Sequence, residues 1–118
     1  MIVQFPKINQ NRSVNLNMVE EIKNNDLGRA ASSPFAVIDF NATWCGPCQM
    51  LHPVFEECAK AFPDKDFFAC DIDQNLKLAE QFGIMSVPSV VIMKNGKPVA
   101  VNTGYVPFES LSDFIRSN

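Results

Sequence analysis

The run Ala36-Val37-Ile38-Asp39-Phe40 leads, four residues later, into Trp44-Cys45-Gly46-Pro47-Cys48. This junction constrains the fold more than any other part of the chain. The apolar run follows the breaker Ser32-Ser33-Pro34 and suits a buried strand. Behind the cysteines, Met50, Leu51, Val54, Phe55, Cys58, Ala59 and Phe62 recur at helical spacing and form one apolar stripe. Pro53 lies inside that stretch, where it removes an amide donor, crowds the preceding turn and is expected to kink the helix.

The rest of the chain continues the alternation. Residues 67–72 (FFACDI) read as the next strand and Leu76 to Phe82 as a short helix, with Gly83 placed for a left-handed C-terminal conformation. Ser89–Met93 and Pro98–Thr103 flank Asn95-Gly96, a two-residue hairpin signal, so they are expected as antiparallel neighbours. A last helix is expected from about Pro107, favoured at a first helical position, with Phe108, Leu111 and Ile115 inward. Near the start, Val19 and Ile22 suggest a first helix, preceded by a strand at either Ile2–Phe5 or Ser13–Leu16. The sum is α/β: a central mixed sheet with helices on both faces.

At 118 residues the chain is one domain's worth, enough to bury a core without metals or cross-links. Residues 1–118 are expected to form that single domain, with residues 1 to about 15 a longer N-terminal segment whose place the sequence leaves open. A formal charge of -3 argues against a nucleic-acid surface, which needs a basic field. No apolar run approaches the roughly 18–20 residues of a membrane span. The opening MIVQFPKINQ lacks both a basic region followed by a long apolar one and an Arg-rich start, so the expected compartment is the cytoplasm. Thiols are kept reduced there, which turns four cysteines away from a disulfide scaffold and toward catalysis or metal binding.

A C-x-x-C pair beside a strand–helix–strand pattern is a redox motif first. Cys45 falls where the strand ends and the helix begins, where free amides and the helix dipole stabilise an anion. The thiolate is the nucleophile, so a lowered pKa there raises the reactive fraction. Cys48 follows about one turn later. The expectation is an exposed attacker and a shielded resolver that completes the exchange through a mixed disulfide. A metal site is the competing use, with His52 four residues after Cys48. It would need further ligands, and Cys58 and Cys70 read as separated, buried small hydrophobes, with a regulatory second disulfide or a dimer bridge as the alternative. No second C-x-x-C exists, and no bound metal or cofactor is expected. His52 reads as a partly exposed helix residue, and Glu56 and Lys60 as an ordinary solvated face.

The segments VIDFNATWCGPC, Pro53, DIDQN, VPS with Pro88, the KNG hairpin and Gly104 together resemble the thioredoxin family, over most of the chain from about Phe35 onward. The resemblance implies the thioredoxin fold and reduction of protein disulfides by dithiol–disulfide exchange, in support of cell redox homeostasis. Gly-Pro between the cysteines is the pairing of a reductant in such families. The resemblance also implies that Asp39 assists the Cys48 proton transfer. On physical grounds, a carboxylate on an apolar strand is costly and should titrate high, as a candidate general base acting directly or through a water. A solvent-facing aspartate at the strand end is the alternative.

One departure stands out. Thioredoxins commonly carry a lysine near this carboxylate, and the matching position is Ala69. Without that cation, Asp39 is expected to titrate higher than in relatives that keep it.

Pro88 matches a family position that is cis, which would expose the Val87 backbone for strand-like pairing with an extended substrate; a trans proline that merely breaks a loop is the alternative. Trp44, Gly46, Pro47, Val87, Pro88, Gly104 and Tyr105 are then expected to form a small-residue, mostly apolar apron around Cys45. Trp44 as core filler is the alternative.

The chain has no dinucleotide-binding fingerprint, so a separate electron donor is needed. The resemblance implies an NADPH-linked, flavin-containing thioredoxin reductase, with disulfide-containing client proteins as acceptors. A binding module using the fold as a scaffold, or an oxidase or isomerase, are the rival uses.

Overall fold

In the computed structural model, which describes residues 18–118, the chain runs β1 (Val19–Ile22), α1 (Arg29–Ser32), β2 (Ala36–Asn41), α2 (Gly46–Ala61), β3 (Asp66–Asp71), α3 (Leu76–Gln81), β4 (Ser89–Lys94), β5 (Lys97–Thr103) and α4 (Phe108–Arg116). The five strands form one sheet in the order β1-β3-β2-β4-β5. β2 pairs parallel with β3 and antiparallel with β4, so it lies at the centre. That position explains why residues 36–40 read as an unbroken apolar run: both faces are covered.

Each face has its own core. Val37, Phe67, Ala69 and Val90 meet Leu51, Phe55, Cys58 and Ala59 of α2 and Leu111 and Ile115 of α4. Ile38, Phe40, Phe68, Cys70 and Val91 meet Ala30 of α1 and Leu78 of α3 on the other face. Burying a side chain such as Leu51 or Phe55 stabilises by roughly 1.5–3 kcal/mol, so α2 is held to the sheet chiefly by its apolar stripe. The stripe is narrower than expected. Met50 is 59 % exposed, because it lies about 100° round the helix from Leu51. Pro53 sits inside α2, which continues as one element to Ala61.

The start of the described chain corrects the sequence reading. Val19 and Ile22 lie on a strand, β1, paired parallel with β3. Their spacing of three suggested a helix, but on a strand an odd spacing sends side chains to opposite faces. Val19 joins the core under α2 and Ile22 the core under α3. The candidate strands Ile2–Phe5 and Ser13–Leu16 lie outside the described residues.

A turn with Asn24 and Asn25 at positive φ follows β1, a conformation asparagine tolerates. Asn25 Oδ1 accepts from the Lys77 and Leu78 amides and so caps α3 from across the chain. Buried Asn75 accepts from the Asn25 amide and donates to the Ile22 and Asp71 carbonyls.

The hairpin forms as expected, with Asn95 and Gly96 both at positive φ between β4 and β5. Gly83 also takes positive φ at the end of α3. Pro107 stands one residue before the position expected of it, with ψ 170 ahead of the first residue of α4. Either position suits a residue without an N–H.

Candidate active site

The site grows from the end of β2. After Asn41 the chain turns through buried Ala42, and Cys45 takes an extended conformation, φ -99 and ψ 115, as the residue that caps α2. A cap normally offers a side-chain oxygen to the first free amides. Here a sulfur does so: the Cys48 N–H donates to Cys45 Sγ at 3.2 Å. Pro47, in the first turn, has no N–H to leave unpaired. A charged sulfur at this point gains both the amide and the positive end of a sixteen-residue helix.

Cys45 and Cys48 are joined as a disulfide, with their Cα atoms 5.2 Å apart. The expected contrast between an exposed attacker and a shielded resolver is not seen in this oxidised form. Cys45 is 6 % exposed and Cys48 4 %, because Ala42, Ile72 and Val87 pack around the pair. Exposure belongs to the neighbours instead: Trp44 is 69 % exposed, and Gly46 and Pro47 also face solvent.

The apron residues converge. The Val87–Pro88 bond is cis, and the Val87 carbonyl oxygen lies 3.6 Å from Cys45 Sγ. The Gly104 amide donates to the Pro88 carbonyl at 2.7 Å, tying the end of β5 to this loop. Gly104 has φ 96, a conformation that favours glycine. Tyr105 is exposed beside it. Trp44 is no core filler: its Nε1 donates to Asp73 Oδ2 at 2.8 Å. Asp73 had no role in the sequence reading, although it stands in the DIDQN segment. Only the fold brings residues 29 apart in sequence together.

Asp39 lies on the central strand, 2 % exposed, and not at the solvent-facing strand end. It occupies the face covered by α2, two residues beyond Val37. Its Oδ1 has no hydrogen-bond partner among the described residues. Burial, and then the negative charge of Glu21, push its pKa up to about 7. Ala69 is its register partner on β3, so the position next to the carboxyl carries a methyl.

The other two cysteines stay apart from the site. Cys58 is buried on α2, 3.7 Å from Ser112 Oγ, and Cys70 is buried on β3 under the opposite core. Burial drives both thiols up, Cys70 to about 12. His52 pairs with Glu56 at 3.1 Å on the exposed side of α2. Among the described residues no group of three or more His, Cys, Asp or Glu is arranged to hold a metal.

The thioredoxin family model matches residues 7–117. The chain belongs to the thioredoxin family. A thioredoxin of Staphylococcus epidermidis is 35% identical over 98 residues, covering 82% of this chain and 94% of its own. One from Alicyclobacillus acidocaldarius is 47% identical over 76 residues, 64% of this chain and 72% of its own. Among solved structures, a mutant thioredoxin from Halobacterium salinarum superposes with a TM-score of 0.78 at 32% identity, covering 86% of this chain and 90% of that one. The oxidised mitochondrial thioredoxin 3 of Saccharomyces cerevisiae gives 0.77 at 30% identity, covering 85% and 95%. As a thioredoxin-family member with a bonded C-x-x-C pair at the start of α2, the chain is a thiol–disulfide oxidoreductase. No helix among the described residues is long and apolar enough to cross a membrane.

Proposed function

We propose that residues 1–118 form one thioredoxin domain that works in the cytoplasm as a protein-disulfide reductase, with Cys45 as nucleophile, Cys48 as resolver and Asp39 as the proton acceptor for Cys48. The observation that carries this reading is the Cys48 amide held 3.2 Å from Cys45 Sγ at the first turn of α2. After reduction, the same donor faces the Cys45 thiolate and lowers the energy of the attacking form.

The Cys45 thiolate attacks one sulfur of a client disulfide. A new S–S bond forms, the client bond breaks, and one client sulfur leaves as a thiolate that takes a proton from solvent. Cys48 then loses its proton to Asp39 and attacks Cys45 Sγ. The internal disulfide forms, and the second client sulfur leaves with the electron pair. The client is reduced by two electrons and the Cys45/Cys48 pair is oxidised by two.

Trp44, Gly46, Pro47, Val87, Pro88 and Gly104 supply the substrate surface. The carbonyl of Val87, 3.6 Å from Cys45 Sγ, suits pairing with an extended client backbone. Family membership further implies recharging by a thioredoxin reductase, NADPH-linked and flavin-containing. Acid–thiol work of this kind asks for no metal or bound cofactor on this chain.

The test is reduction of insulin by the pre-reduced protein, combined with trapping on a Cys48→Ser variant. Wild-type protein is expected to reduce insulin, and the variant to accumulate a mixed disulfide through Cys45. Wild-type protein that leaves insulin oxidised would overturn the reductase reading and favour a scaffold role.

A further inference from the structure

The row of the sheet that holds Asp39 carries a second carboxyl that the exchange chemistry leaves unexplained. Glu21 of β1 stands level with Ala69 of β3, and Ala69 level with Asp39 of β2. Side chains two residues apart on a strand share a face. Glu21 therefore follows Val19, and Asp39 follows Val37, onto the face covered by α2. On β3, the strand between them, the level position is Ala69. Two strand spacings put their backbones roughly 10 Å apart, within the reach of charges acting across a layer that excludes water.

The two ends of this row differ. Asp39 is sealed, with Oδ1 unpartnered among the described residues, while Glu21 is exposed at the sheet edge. Beyond Asp39 the row continues through Val90 and Asn102, neither of them charged. The helix over this face, α2, carries Cys48 and, about one turn on, His52, which is paired with Glu56. Lys23, Asp71 and His52 are the other charged or titratable groups acting on Glu21. The two groups that raise Asp39, burial and Glu21, act in the same direction.

We propose that Glu21 is a positioning residue for the resolving step: across the Ala69 position of β3 it governs the protonation of Asp39, and so the pH range in which Cys48 is activated. The proposal rests on the reading of Asp39 as the proton acceptor for Cys48. A negative Glu21 favours the neutral, proton-holding form of Asp39. An Asp39 that holds its proton cannot take another from Cys48, so the edge carboxylate restrains the step as pH falls. Neutralising Glu21 makes Asp39 ionise at lower pH and opens the step to more acidic conditions.

The experiment uses the whole chain as wild type, Glu21→Gln and Glu21→Lys. Carboxyl NMR of the reduced proteins gives the Asp39 titration. The resolving step is followed separately, as release of thionitrobenzoate from a mixed disulfide preformed on Cys45, by stopped flow across pH. Glu21→Gln is expected to lower the Asp39 midpoint by roughly half a unit, with the release profile moving to lower pH by the same amount. Glu21→Lys should move both further in that direction, so a folding failure of one variant leaves the other decisive.

An Asp39 midpoint that stays put in both variants would overturn the proposal. A midpoint that moves while the release profile does not would overturn it too. In that second case, an Asp39→Asn variant with the wild-type release profile would show that the fault lies in the role given to Asp39. A profile altered by Asp39→Asn would place the fault in Glu21.

Discussion

The chain contains two pairs of cysteines that burial alone does not tell apart. Cys45 and Cys48 are under a tenth exposed, as are Cys58 and Cys70. What differs is the field around each sulfur. Cys45 caps a helix and receives the Cys48 amide, while Cys70 sits mid-strand under an apolar core where burial, and then Glu21, Asp71 and Asp39, raise its pKa. Cys58 and Cys70 also lie in the cores of opposite faces of the sheet, so they cannot bond to each other while the fold is intact. Burial raises a thiol's pKa, and reactivity depends on a donor that offsets it, as the Cys48 amide does at Cys45.

The largest expected effect separates the pairs outright. Cys45→Ser should drop disulfide reduction to the uncatalysed background, whereas Cys58→Ala and Cys70→Ala should keep the wild-type rate. In the reduced wild-type protein at neutral pH, iodoacetamide should label Cys45 first, as mass spectrometry of timed aliquots would report. Equal labelling of Cys58 or Cys70 in folded protein would break the contrast.

The next effect concerns the buried carboxyl of β2. Asp39 has a folded pKa of about 7 against an ordinary 3.8. Between these values the unfolded chain has released the proton and the folded chain still holds it. Wild-type stability, relative to an uncharged side chain at this position, is thus intact below pH about 4 and lost progressively as pH rises toward 7. Asp39→Asn should be more stable than wild type at neutral pH, by an amount that grows with pH across this window to about 4 kcal/mol. Urea denaturation at several pH values reads it. A difference that does not change with pH would mean that Asp39 titrates normally, and would remove the pKa argument for its role as base.

How much of this was open to sequence reading depends on range. The hairpin was legible because Asn95-Gly96 answers a local demand for two positive φ angles. The α2 boundary and the reactive pair were legible for the same reason, as a strand end, a cap and a stripe lie within one short segment. β1 was misread because the spacing of Val19 and Ile22 satisfies a helix face and also a strand buried on both sides. Only pairing with β3 decides between them. Glu21 and Asp73 escaped notice because their relevance depends on register and on a turn far along the chain. The near-equal burial of Cys45 and Cys48 depends on Ile72 and Val87, again from distant segments.

A smaller effect sharpens what the inert pair does. Cys58→Ala and Cys70→Ala each remove one buried sulfur from a packed core. Each should cost about 1–2 kcal/mol in chemical denaturation, with the midpoint of the Cys45/Cys48 redox titration unchanged. A shifted midpoint would mean that one of these sulfurs reaches the active pair after all, and the two pairs would no longer be independent.

The smallest effect lies on the exposed rim of the reactive pair. Trp44 is the sole tryptophan, and its indole N–H donates to Asp73 Oδ2 at 2.8 Å. Because this bond faces solvent, Asp73→Ala should cost only about 0.5–1 kcal/mol of stability. Its signature is local. The indole loses its tether, so iodide should quench Trp44 fluorescence more readily in the variant, while the Cys45/Cys48 disulfide still forms. The rate of insulin reduction should fall through weaker client docking, seen as a raised KM with little change in kcat. Unchanged quenching would mean that packing against the rim, and not Asp73, fixes the ring. The difference between the two cysteine pairs would then rest on the cap of α2 alone.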